Sequence, residues 1–275
     1  MRILIAGCGD VGNVLAEVLL GDGHVVYGLK RNTASLPAGV RPVPADLLEP
    51  ETLGGLPEQI DCLVYMPTPA SRNQEAYESI FIDGWKNLWC HLKDKPVRTV
   101  LVSSTAVYGE DGGAIVSEET DEKPARFNGR VLLQMEKLAA RDTTGLVVAR
   151  VSGIYGPGRE RLISLAASKG LEVQRYPDFF TNRIHRDDVA RALKHLLDMK
   201  YPEDLYLVTD DVSAPRYDVI AWLAKVQGLP EPTAATDEHA SSGKRVSNRR
   251  LRESGFELLY PDYRAGYGEI LKSQN

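Results

Sequence analysis

Short apolar runs rich in β-branched residues alternate along the chain with longer segments whose apolar positions recur at helical spacing. In order these read RILIAG (residues 2–7), NVLAEVLL (13–20), HVVYGL (24–29), VRPVPA (40–45), DCLVYM (61–66), ESIFIDGWKNLWCHL (78–92) and RTVLVSS (98–104). The alternation predicts βαβ units and a parallel sheet, since a crossover helix is what returns the chain to the same end of the next strand. TVLVSS and LVVARVS (146–152) are nearly continuous apolar runs and predict strands covered on both faces.

Beyond Ile154 the regularity loosens. Helices are expected over 161–169 and 187–199, a short strand at EVQRYP (172–177), another at YLVTDD (206–211) and an amphipathic helix at PRYDVIAWLAKVQGL (215–229). PEPTAAT (230–236) reads as loop. No internal repeat or low-complexity tail is visible.

Composition narrows the function classes. With 275 residues, 43% hydrophobic and 26% charged, the chain has ample material for one large α/β core, and nothing forces two independent domains. A formal net charge of −5 argues against nucleic acid, whose phosphates need a basic field. The first residues run straight into a strand pattern with no leader signature, and no apolar run reaches the length of a membrane span. A small-molecule substrate is the expected partner, with the protein a monomer or homodimer. Cys8, Cys62 and Cys90, an odd number at no ligand spacing, fit a reducing compartment, and the cytoplasm is the expected location. The five histidines form no HExxH, so no metal site is expected.

GCGDVG, residues 7–12, follows the first strand pattern and opens a helix, which gives G-x-G-x-x-G its required context. Gly7 allows a tight turn, Gly9 lets a pyrophosphate approach the backbone, and Gly12 lets helix and strand pack closely. Asp10 and Val11 open the helix whose N-terminus faces the negative charge. A dinucleotide site for NAD usually carries an acidic residue at the end of the second strand, whereas Lys30 and Arg31 stand here. Two cations suit a 2′-phosphate, so NADP is expected, with NAD possible; Lys30 extending into water is the plain alternative.

Further stretches follow in a fixed order: PADL (44–47), VSSTAVYG (102–109), ARVSGIYGPGR (149–159), RIHRDDVARAL (183–193) and KRVSNRRLRESGF (244–256). Together with the glycine turn they resemble the extended or atypical short-chain dehydrogenase/reductases, the NAD(P)-dependent epimerase/dehydratase family, over nearly the whole length. The resemblance implies an α/β fold: a Rossmann-type doubly wound parallel sheet with a small C-terminal substrate-capping region. Residues 1–154 would form the first part of the NAD(P)-binding domain, its sheet completed by later segments. Residues 155–275 would form a mixed segment with the capping region and C-terminal helices. Asp46, with Leu47, falls where a carboxylate can accept the adenine amino proton, although a solvated turn aspartate explains it as well. The YMPTPASRN segment (65–73), with Met66 and Pro67, would pass over the diphosphate and ribose of the cofactor, Ser103 would border it, and Val151, Ser152 and Gly153 would lie beside the nicotinamide. Thr105, Arg130, Arg183 and His185 would reach the substrate.

In that family a tyrosine held four residues before a lysine acts as base, and a Ser/Thr ending the fifth strand hydrogen-bonds the substrate oxygen. Ser104 matches the Ser/Thr. The helix that should carry the pair reads NGRVLLQME (128–136), with Asn128 in the tyrosine place and Leu132 in the lysine place. No tyrosine in the chain has a lysine four residues on. Replacement acid/base candidates are Tyr108, Tyr155 and His185, each also explicable by packing or local hydrogen bonding. The expected function is an epimerase/dehydratase-like oxidoreductase on a small hydroxyl or carbonyl metabolite, a nucleotide sugar first. The alternative is an NADP(H)-binding redox sensor or interaction protein without turnover.

Overall fold

The computed structural model describes residues 1–237 and 240–273. Its central element is a seven-stranded parallel sheet of β1 (Arg2–Ala6), β2 (Val25–Lys30), β3 (Arg41–Pro44), β4 (Cys62–Tyr65), β5 (Arg98–Ser104), β6 (Leu146–Val151) and β7 (Leu205–Val208). The spatial order is β7-β6-β5-β4-β1-β2-β3, so the strand order reverses between β1 and β4. That reversal is where open α/β sheets bind ligands, at the C-terminal ends of the strands. Ile3, Leu4, Ile5 and Ala6 are all fully buried, as a strand covered on both faces requires.

The chain divides into two compact units. The first comprises Met1–Val107, Glu122–Arg150 and Ala190–Tyr206, and the second Tyr108–Asp121, Val151–Val189 and Leu207–Asn275. In the first, helix α1 (Asp10–Gly21) crosses from β1 to β2 and buries Val11, Leu15, Ala16 and Leu19. The single helix expected over 78–92 is broken into α2 (Gln74–Glu78), a π-helical turn at Ser79–Asp83, and α3 (Gly84–His91). The hydroxyl of Tyr65 donates to the carbonyl of Ile80 at 2.6 Å, occupying one carbonyl inside that turn. Insertion of a side chain into a helical ladder is a recognised cause of such an interruption. Helix α4 (Phe127–Asp142) packs on β5 with Val131, Leu132, Met135 and Ala139 buried.

The second unit is built from small paired strands and helices. Gly153–Tyr155 pairs with Arg183–His185 in parallel, and Phe180–Thr181 pairs with Ala214–Pro215 antiparallel. The loop expected at 230–236 contains a strand instead: Thr233–Thr236 runs parallel to Glu172–Tyr176. Its hydrogen bonds come from that distant partner, which no local pattern in the segment announces. The helix Arg216–Val226 supplies Tyr217, Val219, Ile220, Leu223 and Ala224 to a core shared with Tyr155, Tyr263 and Tyr267. Among the described residues no helix is long and apolar enough to cross a membrane.

Candidate functional site

β1 ends at Ala6, and the chain must turn at once to start α1. Gly7 has φ +88°, and a Cβ there would lie 2.5 Å from the Cα of Pro67, so glycine satisfies both the backbone conformation and the crossing of two loops. The N–H groups of Gly7 and Cys8 both donate to the carbonyl of Leu29, at 3.0 and 3.1 Å, which pins the turn to β2. Gly9 precedes α1 with no side-chain cap, and a Cβ there would meet only the carbonyl oxygen of Gly7, at 3.9 Å. The start of α1 therefore turns the positive end of its helix dipole toward the space above Gly9. Asp10 is exposed, while Val11 and Gly12 are buried against the sheet. The buried Cys8 thiol packs beneath the turn, and burial pushes its pKa up to about 11 against the pull of Lys30.

A cavity of about 590 Å³ opens over this turn, within the size range of small-molecule sites. Gly7 and Gly9 line it together with Lys30, Arg31 and Asn32 after β2, Asp46 and Leu47 after β3, and Pro67 after β4. Lys30 Nζ donates to Ser35 Oγ at 2.8 Å. The Arg31 side chain is 76% exposed, and its one ion pair among the described residues is a 3.8 Å approach to Asp46, too long and too solvated to hold it firmly. Asp46 Oδ1 accepts the N–H of Leu48 at 2.9 Å, so the same carboxylate braces its turn. The cavity thus joins a glycine turn, a helix N-terminus and the two cations at the end of β2. Thr68, Ser71 and Asn73 on this wall belong to the 65–73 segment expected over the cofactor, whereas sequence reasoning did not single out Asn32, Glu75 or Ser79. Asn73 had a readable signal, since it caps α2 by accepting the N–H of Ala76. Asn32, Glu75 and Ser79 carry none. Met66 is half-buried beside Pro67, its N–H bonded to the carbonyl of Ala6.

At the end of β5, two adjacent serines face different tasks. Ser103 is 5% exposed and donates to Glu136 on α4 at 2.5 Å. Glu136 also accepts Arg150 Nε at 3.1 Å and Nη2 at 2.7 Å, and Arg150, itself 3% exposed, reaches Glu122 at 2.6 Å. Ser104 is half-buried, and its Oγ accepts the N–H of Ala106 at 3.2 Å while its own hydrogen goes to no described residue. Thr105 is buried in the short helical turn that follows. Gly129 in α4 sits so close to this turn that a Cβ would lie 2.2 Å from the carbonyl oxygen of Ala106. Asn128 is half-buried with no side-chain partner among the described residues, and Leu132 is 5% exposed. Arg130 is exposed and donates to the carbonyl of Ala125 at 3.1 Å.

The second unit holds the remaining sequence candidates. Tyr108 is 1% exposed. Tyr155, Tyr267, His185 and Tyr260 form an aromatic cluster, with centroids 4.3 Å apart for Tyr155–Tyr267 and 4.0 Å for His185–Tyr260. Burial raises the Tyr155 hydroxyl pKa, and its proton points to the carbonyl of Asp262 at 3.4 Å. His185 is 2% exposed, burial lowers its pKa, and its Nδ1 accepts the N–H of Asp187. Val151 and Ser152 are buried and Gly153 exposed. Arg183 is 4% exposed and bonds Thr181 through Nη2, leaving Nη1 unpartnered; Ser152 Oγ and Asp210 Oδ2 are likewise buried without partners.

Comparison with known proteins identifies relatives along the whole chain. The model of the NAD dependent epimerase/dehydratase family matches residues 3–208. A provisionally named NAD-dependent epimerase/dehydratase from Methylobacillus flagellatus has a TM-score of 0.84 at 36% identity, covering 99% of this chain and 98% of that one. UDP-glucuronic acid 4-epimerase from Bacillus cereus, solved in complex with NAD, shares the fold with a TM-score of 0.81 at 20% identity, covering 99% of this chain and 97% of that one. A Streptomyces protein named 3-diazoavenalumate denitrifying reductase is 24% identical over 305 residues, 98% of this chain and 99% of that one.

Proposed function

The chain belongs to the NAD-dependent epimerase/dehydratase family, and on that premise we propose that it is an NADP(H)-dependent oxidoreductase acting on a hydroxyl or carbonyl carbon of a small metabolite, nucleotide sugars first. The observation that carries this reading is the cavity over Gly7 and Gly9 that Lys30 and Arg31 also line. The first turn of α1, from Asp10 to Gly12, would hold the diphosphate, Asp46 and Leu47 the adenine, and Met66 and Pro67 the ribose side. Lys30 and Arg31 would pair with the 2′-phosphate. When bound, the nicotinamide supplies hydride donor or acceptor chemistry. Ser104 would hold the substrate oxygen with its uncommitted O–H, and Thr105 and Arg130 would border the substrate. The NAD held by the Bacillus cereus epimerase and the reductase name of the Streptomyces relative support a nicotinamide-dependent reaction.

Calorimetric titration of wild type and Arg31→Ala with NADP⁺ and NAD⁺ tests the reading. Loss of a charge-assisted hydrogen bond, worth about 1.5–3 kcal/mol, should weaken NADP⁺ by roughly 10- to 100-fold and leave NAD⁺ nearly unchanged. Equal affinity for both nucleotides with a silent substitution rejects NADP, and binding of neither rejects the cofactor altogether. Asn128 and Leu132 favour a second reading, an NADP(H)-binding sensor without turnover. A screen of nucleotide sugars and simple carbonyls, following NADPH absorbance, separates the two. Tight binding without oxidation, and no effect of Ser104→Ala, would select the sensor.

A further inference from the structure

Helix α4 places Asn128 and Leu132 where the family resemblance calls for tyrosine and lysine, so an acid/base group has to come from elsewhere. Tyr108, Tyr155 and His185 are 1%, 3% and 2% exposed, and the hydroxyl of Tyr155 and Nδ1 of His185 are already engaged inside the second unit. In the first unit, Tyr65 donates to Ile80, Tyr27 accepts from Arg2 and Arg41, Tyr206 accepts the N–H of Glu203, and Tyr201 lies 81% exposed. Tyr77 differs from all of these. It is half-buried, and no described residue hydrogen-bonds its hydroxyl.

Its placement is specific. Helix α2 offers Ala76, and the π turn after it Ser79 and Ile80, to the wall of the cofactor cavity. Tyr77 instead packs edge-on against Phe127, the first residue of α4, with centroids 5.4 Å apart, and 5.4 Å from Phe81. Phe127 is followed by Asn128 and by Gly129, which presses on Ala106 two residues beyond Ser104. Tyr77 therefore links the helix whose neighbouring residues line the cavity to the start of α4, whose Gly129 abuts the turn after Ser104. Two residues on begins the π turn whose Ile80 carbonyl accepts from Tyr65, a distortion found often at functional sites.

Resting on the cofactor reading above, we infer that Tyr77 is the catalytic residue that exchanges a proton with the substrate oxygen held by Ser104. In the reducing direction the Tyr77 O–H bond breaks, its proton forms the O–H of the product alcohol, and the tyrosinate regains a proton from water. In the oxidising direction the same transfers run backwards. The hydride and its electron pair belong to the nicotinamide.

Full-length protein labelled with 3-fluorotyrosine provides a test independent of turnover. The Tyr77 fluorine resonance is assigned by its loss in Tyr77→Phe, then followed during saturation with NADP⁺ and, separately, with 2′-phospho-ADP-ribose, which lacks only the nicotinamide. The expected result is a shift with NADP⁺ beyond that seen with the truncated nucleotide. Tyr77→Phe should keep its melting temperature and nucleotide affinity, while NADPH-dependent carbonyl turnover falls by about 10²- to 10⁴-fold. Identical Tyr77 resonances in the two saturated complexes, or undiminished turnover in Tyr77→Phe, overturn the inference. Calorimetry on the same samples tells the failures apart: if neither nucleotide binds, the cofactor reading has fallen first and takes this inference with it.

Discussion

Asp210 shows how one buried residue couples this structure to pH. It is 2% exposed, its Oδ1 accepts the N–H of Val212, its Oδ2 has no partner, and burial raises its pKa to about 8 against the pull of Arg183. An aspartate in an unfolded chain titrates near 3.9. Folding therefore favours the protonated form, and the stability tied to it is complete at acid pH and is lost as pH climbs through about 8. Urea denaturation from pH 5 to pH 9 should show wild type losing stability while Asp210→Asn, which keeps the acceptor for Val212, stays flatter and overtakes it at the alkaline end. Parallel pH profiles for the two proteins would rule out Asp210 as the source. Nothing in the local string VTDDVS distinguishes Asp210 from its exposed neighbour Asp211; the difference is made by burial. Gly7 is the opposite case, since its left-handed backbone and its crossing under Pro67 follow from a glycine between strand and helix.

Among elements, α4 is the one most constrained by charge. Glu136 on its inner face is fixed by Arg150 from β6 and Ser103 from β5, and Arg150 is almost wholly removed from water. Removing one partner of a buried pair strands the other, at a cost of about 3–5 kcal/mol. Glu136→Ala should lower the denaturation midpoint accordingly, whereas Glu136→Gln, retaining an acceptor for Ser103, should cost less; equal stability of all three proteins would show that the network is slack. The strands were readable because apolar runs of their length and composition have few other uses. The break between α2 and α3 was hidden, because a π turn adds a single residue and barely disturbs the apolar spacing. Thr233–Thr236 was hidden for a different reason, being a strand only by virtue of a partner far away in sequence.

At the scale of the whole molecule, the residues that the sequence singled out around the glycine turn line one cavity, whereas the setting of Tyr77 was not legible. That cavity gathers contiguous local signals: a glycine turn, a helix start and two cations at a strand end. Tyr77 gains its meaning only when α2, α4 and the turn after β5 come together, which requires the folded sheet. That sheet is itself assembled from separate stretches, with β7 returning from beyond the helix Arg186–Asp198 to flank β6. Arg98, at the start of β5, reinforces the return by donating to the carbonyl of Leu197 at 2.9 Å. During synthesis, β6 must consequently leave the ribosome with one side unpaired and wait until residue 208 has emerged. An unpaired apolar edge is adhesive; a fragment ending at residue 154 should sediment as aggregate where the complete chain stays dispersed, and a dispersed, cooperatively melting fragment would show that the edge protects itself.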